Sequence, residues 1–315
     1  MPFRPPARQP EDRRTVSVVF ALLLSISLGG EAGNGTPLPG SPQSVAPAST
    51  PGLEADSAAF WVFLGETAWD GFQNDASSLV IPGRVRVVSR WLKAVSVWAP
   101  VEAGNELTTV PGVVSVRPVR RLGRSPSGAA WDPDRQLGGP PSLPPPDNSH
   151  LGELEAPLTT LDIPQAHAMG FLGTGTRVGI LDGLFWSQHT SLQNNPPLAV
   201  RDFVDGDGSV EPRVEDTPES ATHGTALWSL VSGQWSDTLS GVAPGAGVLL
   251  ARVISSEDGA GANEDRWVAG LEWLESQGAR VVLSGVGFRN FEDGAYTAMD
   301  LNGDLAPTTL AADQA

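Results

Sequence analysis

Apolar residues in this chain come in short runs broken by turn residues, and the spacing of the runs changes partway along. Between residues 59 and 121, runs at 60–64, 84–88, 94–97 and 113–119 read as strands. Residues 101–110 read as a short helix, closed by Pro111-Gly112. Four strands with one or two short helices in so few residues predict a small α+β sandwich.

Between residues 176 and 286 the pattern becomes an alternation of strand and helix. RVGIL (177–181) is a buried strand, 222–231 is helical, VLLARVI (248–254) is a second strand, and 281–286 is a third. The clearest helix is 263–277. Asn263 can cap it, Glu264 and Asp265 suit the positive end of its dipole, and Gly278 closes it. Its apolar residues Trp267, Leu271 and Leu274 recur at three and four. This order predicts an α/β fold, a doubly wound parallel sheet with helices on both faces. A functional site is then expected beyond the carboxyl ends of the strands.

Two stretches lack such patterning. Residues 33–52 are rich in Pro, Gly, Ser and Thr, and residues 125–157 hold eight prolines. Such segments bury too little apolar surface to offset their ordering entropy and read as linkers. At the amino end, Arg4, Arg8, Arg13 and Arg14 precede an apolar run at 16–28. That run is shorter than the roughly 20 residues a membrane span needs, and it matches the apolar core of an export signal. The expected organisation is a signal peptide (1–30), a low-complexity linker (31–58), a small domain (59–124), a Pro-rich linker (125–156) and a second domain (157–315). The expected location is outside the cytoplasm, with no membrane association once the signal is removed.

Composition narrows the chemistry. The 315 residues contain no cysteine, which excludes disulfides, thiolate metal sites and a cysteine nucleophile. A net charge of −16 argues against nucleic acid and anionic lipid as partners. The charge is also unevenly placed. Residues 59–124 carry 5 acids and 8 bases, whereas 157–315 carry 21 acids and 7 bases. A basic unit therefore precedes an acidic one, as expected of two domains that dock and equally of two unrelated solvated surfaces.

Two residues stand where chemistry is expected. Asp182 follows the first buried strand of the second unit, and His223 lies near the start of a helix with small neighbours, Gly224 and Thr225. Brought together, a carboxylate and an imidazole work as orienter and general base. Taken singly, Asp182 reads first as a turn former or helix cap, and His223 as a satisfied structural residue. The acidic strings Asp202, Asp205, Asp207 and Asp300, Asn302, Asp304 place oxygens at the intervals calcium loops use. Neither completes a twelve-residue loop with its closing glutamate, and solvated acidic turns are the commoner explanation.

The strings VGILDGLFWSQH (178–189), HGTALWSLVSG (223–233), GVAPGAGVLLARV (241–253) and GARVVLSGVGF (278–288) occur in that order. Together they resemble the subtilisin-like serine peptidases. SRWLKAVSV (89–97) and VPGVVSVRPVRR (110–121) are similar to the propeptide that precedes such catalytic domains.

The resemblance implies that Asp182 is the charge-relay aspartate, His223 the general base and His189 a structural residue. It implies that Ser284, Gly285, Val286 and Gly287 line the substrate cleft. It further implies a secreted zymogen acting on polypeptides, its own propeptide serving as intramolecular inhibitor. No cofactor is required, and calcium is compatible.

The sequence also departs from the family. Gly183 and Leu184 replace the usual small residue and glycine after the aspartate, and Ala226 stands where a second histidine is common. SGVG replaces the commoner Ser-Leu-Gly of the cleft strand. No serine follows Ser284, so the Gly-Thr-Ser nucleophile of the family is not in these residues. The expectation is a protease fragment inactive as it stands. The alternative is a non-enzymatic secreted binding or inhibitory module on the same scaffold.

Overall fold

The computed structural model describes residues 17–20, 57–120, 154–213, 218–235, 239–255, 263–291 and 294–315. Strand β1 (Ser17–Phe20) belongs to the sheet of the second unit. The first unit opens with β2 (Ser57–Leu64), α1 (Glu66–Asn74), β3 (Arg84–Ser89) and β4 (Ala94–Pro100), and ends with α2 (Ala103–Leu107) and β5 (Val113–Pro118). Its strands form an antiparallel sheet in the order β3-β4-β2-β5.

Strand β2 is apolar on both faces, and the period of two explains why. Phe60, Val62 and Leu64 pack with Trp69 and Leu107 from α1 and α2. Ala59, Trp61 and Phe63 point the other way, into a core shared with Trp267, Val268 and Leu271 of the second unit. Trp61, at 0% exposure, is among the largest side chains in the interior. Fully burying a large apolar side chain contributes about 1.5–3 kcal/mol, so this shared face is a substantial part of what holds the two units together.

The second unit begins with α3 (Glu155–Thr160) and α4 (Ile163–Ala168), followed by β6 (Arg177–Asp182) and β7 (Ala199–Asp202). Next come α5 (Pro218–Ser232), β8 (Gln234–Trp235), β9 (Leu239–Ser240), β10 (Gly247–Arg252) and α6 (Asn263–Ser276). The remainder is β11 (Val281–Ser284), β12 (Asn290–Phe291), β13 (Gly294–Ala295) and α7 (Pro307–Gln314). The main sheet has the order β1-β11-β6-β10-β7, and all its neighbours are parallel. Helix α5 covers one face through Leu227 and Trp228, and α6 covers the other through Trp267, Leu271 and Leu274. The expected doubly wound sheet is therefore present. Gly179 permits the close approach of α6, since a Cβ there would lie 2.8 Å from the Leu274 side chain.

Register sets the position of the site. Asp182 pairs with Arg252 across β6 and β10, and Leu181 pairs with Ser284 across β6 and β11. Three strands thus end level, and Asp182 closes the central one.

Several details differ from the sequence-based reading. β2 begins at Ser57 and α3 at Glu155, so each reaches two residues into a stretch read as linker. The helix α1 and the strand β7 were not anticipated; both are short and only partly apolar. The strand expected over 281–286 stops at Ser284, whose hydroxyl donates to the Val286 carbonyl at 2.7 Å and turns the chain. Of the apolar run at 16–28, residues 17–20 pair in parallel with β11, and the rest lies outside the described residues, as does most of the Pro-rich stretch. Among the described residues, no helix is long and apolar enough to cross a membrane.

Candidate active site

Asp182 and His223 meet at the carboxyl edge of the parallel sheet. The His223 Nδ1 lies 2.8 Å from Asp182 Oδ2, within hydrogen-bond distance. The carboxylate side chain is 4% exposed and the imidazole 45%. The carboxylate is thus held in the interior, and the ring presents an edge to solvent. Asp182 Oδ1 accepts the Gly183 amide at 2.7 Å, which fixes the carboxylate plane. The hydrogen bond that His223 donates to Asp182 raises the His223 pKa above its usual value, against the opposing effect of burial.

The neighbourhood explains the local sequence. Helix α5 approaches the loop after β6 so closely that a Cβ on Gly224 would lie 2.5 Å from the Leu184 carbonyl oxygen. Thr225 Oγ1 accepts the Trp186 amide at 2.9 Å and fastens the same loop. On the open side, a Cβ on Gly285 would fall 2.3 Å from Asp182 Oδ2 and 2.8 Å from His223 Cε1. Glycine is therefore needed for the segment after β11 to pass against the pair.

The other expected cleft residues divide. Gly287 is exposed, and Val286 is half-buried against the shared core. Ser284 is buried, with its hydroxyl engaged by Trp267 and by the Val286 carbonyl, so its side chain does not face solvent. His189 stands apart from the pair, bonded to Ser191 Oγ at 2.9 Å and set edge-on between Trp186 and Trp235. Burial lowers its pKa, which accords with a structural role. Ser191, Ser229 and Ser232 are all buried, which removes them as attacking groups.

Residues 173–305 match the family model described as Subtilase family. Over this stretch the chain is similar to the subtilases. Over 138 residues it is 25% identical to the major intracellular serine protease of Bacillus subtilis (strain 168), a match covering 44% of this chain and 42% of that protein. Its fold resembles that of fervidolysin from Fervidobacterium pennivorans, a keratinolytic enzyme related to subtilisin, with a TM-score of 0.51 and 17% identity. That superposition covers 81% of this chain and 38% of fervidolysin. The chain thus spans less than half the length of either relative.

The first unit sits on helix α6 of the second unit, and the contacts are specific. Ser96 Oγ donates to Asp265 Oδ2 at 2.5 Å, and Arg86 reaches the same carboxylate at 3.3 Å. Glu272 accepts the Ser89 hydroxyl at 2.5 Å and the Arg90 amide at 3.1 Å. Arg86 and Arg90 of the basic first unit thus face these two carboxylates of the acidic second unit. Lys93 instead pairs with Glu66 inside its own unit.

The acid-rich loops are held from within. Arg252 lies 2.6 Å from Asp205 and 3.5 Å from Asp202, and Arg213 lies 2.5 Å from Asp207. Asp202 also accepts the amides of Val204, Asp205 and Gly206. Asp300 accepts the Thr297 amide and hydroxyl, and Asn302 bonds Asp304. Among the described residues, no group of three or more metal-ligating side chains comes together.

Proposed function

We propose that this chain supplies the acid–base half of a secreted, subtilisin-like serine endopeptidase made as a zymogen, with residues 59–124 as its propeptide. The observation that carries this reading is the 2.8 Å contact between a buried Asp182 and a half-exposed His223 at the sheet's carboxyl edge.

With Asp182 accepting Nδ1–H, the other ring nitrogen of His223 is left unprotonated and able to take a proton. In the proposed reaction that proton comes from a serine hydroxyl as its oxygen attacks a peptide carbonyl. Asp182 stabilises the imidazolium, and His223 then returns the proton to the departing amine. Water repeats the sequence on the acyl-enzyme. The backbone of Gly285, Val286 and Gly287, passing beside the pair, is the proposed seat of the substrate chain. Nothing in this relay requires a cofactor.

The serine is the part that these residues do not supply, since none follows Ser284. Reading the coding DNA past codon 315 tests the proposal. A frame continuing into a Gly-Thr-Ser helix supports the protease, and a stop codon supports a non-enzymatic module on the same scaffold. At the protein level, a fluorophosphonate probe is expected to leave the 315-residue chain unlabelled. A product carrying the serine should label, and should lose labelling in His223→Ala.

A further inference from the structure

Besides Asp265, helix α6 carries two buried carboxyls beneath the first unit that the relay does not use. Glu264, in its first turn, is 1% exposed and accepts the Tyr296 hydroxyl at 3.0 Å through Oε1. The Arg120 guanidinium, just beyond β5 of the first unit, covers this pair. It lies 4.6 Å from the Tyr296 ring centre and 5.1 Å from that of Phe291. Glu272, eight residues further and so about 12 Å along the helix, is 5% exposed beneath Ser89, Arg90 and Trp91.

We propose that the seat of the first unit on α6 is a proton-linked latch: seating takes up protons at Glu264 and Glu272, so alkaline solution releases the first unit. The biological sense of the latch rests on reading the first unit as a removable propeptide; its physics rests on the interface alone.

Burial pushes the Glu264 carboxyl up to about 8, reinforced by the adjacent Asp265 carboxylate and opposed by Tyr296 and Arg120. Burial also raises Glu272, opposed by the Ser89 hydroxyl, the Arg90 and Trp91 amides and the Arg90 guanidinium. Strands β2, β3, β4, β6 and β10 and helix α7 also pack on α6; β2 and β4 carry no titratable side chain, and Arg117 of β5 donates to the Leu305 carbonyl. Arg86 of β3 is directed to Asp265, Arg252 of β10 to Asp202 and Asp205, and Asp182 of β6 to His223. Arg177 of β6 bonds the Gln277 carbonyl, Arg84 of β3 is exposed, and Asp313 of α7 is exposed.

The sign follows directly. Once released, both carboxyls regain water and titrate near the ordinary glutamate value of about 4.3. Their contribution to seating is fully present below that value and is lost as pH rises toward about 8 for Glu264. Across that window, seating weakens by up to about tenfold per pH unit for each titrating carboxyl.

Amide hydrogen exchange on the full 315-residue chain, at constant ionic strength and corrected for the base-catalysed intrinsic rate, tests the latch. Protection of peptides spanning 86–97 and 263–276 should fall at least tenfold between pH 6 and 8.5, while peptides spanning 177–182 and 247–252 hold. Glu264→Gln and Glu272→Gln should each flatten the dependence, and the double variant should abolish it. If the glutamine variants fail to fold, Tyr296→Phe serves instead. It removes a donor that favours the charged Glu264, so the loss should move to higher pH. An equal fall in the double variant, a flat profile in the parent, or tighter seating at alkaline pH each overturn the proposal. None of these results bears on Asp182 and His223, which the fluorophosphonate experiment tests separately.

Discussion

Trp267 donates its indole N–H to the Ser284 hydroxyl at 2.9 Å, and both residues are buried. Ser284 passes the interaction on to the Val286 carbonyl. The helix that seats the first unit is thereby tied to the segment lying beside His223. Ser284→Ala leaves the Trp267 N–H buried without that acceptor, which costs about 1–3 kcal/mol. Trp267→Phe keeps most of the apolar surface and leaves Ser284 its second partner, so its hydrogen-bond loss should be smaller. Denaturant midpoints of the two variants should rank in that order.

Gly285→Ala places a methyl where Asp182 Oδ2 and Leu227 Cδ1 already stand, each at 2.3 Å. Because these neighbours belong to a strand and a packed helix, the hydrogen-bonded pair is expected to give way. In proton NMR, the downfield Nδ1–H resonance of His223 should disappear. Overpacking should also lower stability by about 1–3 kcal/mol.

His223 should titrate above the usual histidine value of about 6.5. Asp182→Asn removes the largest cause of that shift, so its midpoint should drop. For the parent chain, the stabilisation from a charged His223 is fully present below about 6.5 and is lost as pH rises through the elevated folded-state pKa. An NMR titration of the ring protons reads both midpoints. Equal midpoints in parent and variant would show that the carboxylate does not hold the ring.

Asp265 is wholly buried and accepts both Ser96 and Arg86 from the first unit. Asp265→Ala should destabilise the chain by about 3–5 kcal/mol, the range for breaking a buried ion pair from one side. Because the pair is shielded from solvent, added salt should weaken seating only slightly. Thermal unfolding of parent and variant at low and high salt checks both statements. A strong salt dependence would return the docking to long-range attraction between a basic and an acidic unit.

Much of this arrangement was legible in the residues. The strands RVGIL and VLLARVI and the helix from Asn263 all lie close to where their periodicity placed them. Apolar periodicity reports which faces of an element avoid water, and strand-end position marks Asp182 as available for chemistry.

What covered those faces was a tertiary matter. Asp182 and His223 are 41 residues apart, and the contacts of Ser96 with Asp265 and Ser89 with Glu272 span 169 and 183. Nothing local distinguishes Glu272 from a solvated helix acid, or Gly285 from a turn glycine. Only the level ending of β10, β6 and β11 turns an aspartate, a histidine and a glycine into one site. Sequence periodicity determined the elements and the faces they bury. Which partner each face meets, and hence which carboxyl loses its water, was decided by the packing of segments distant in the chain.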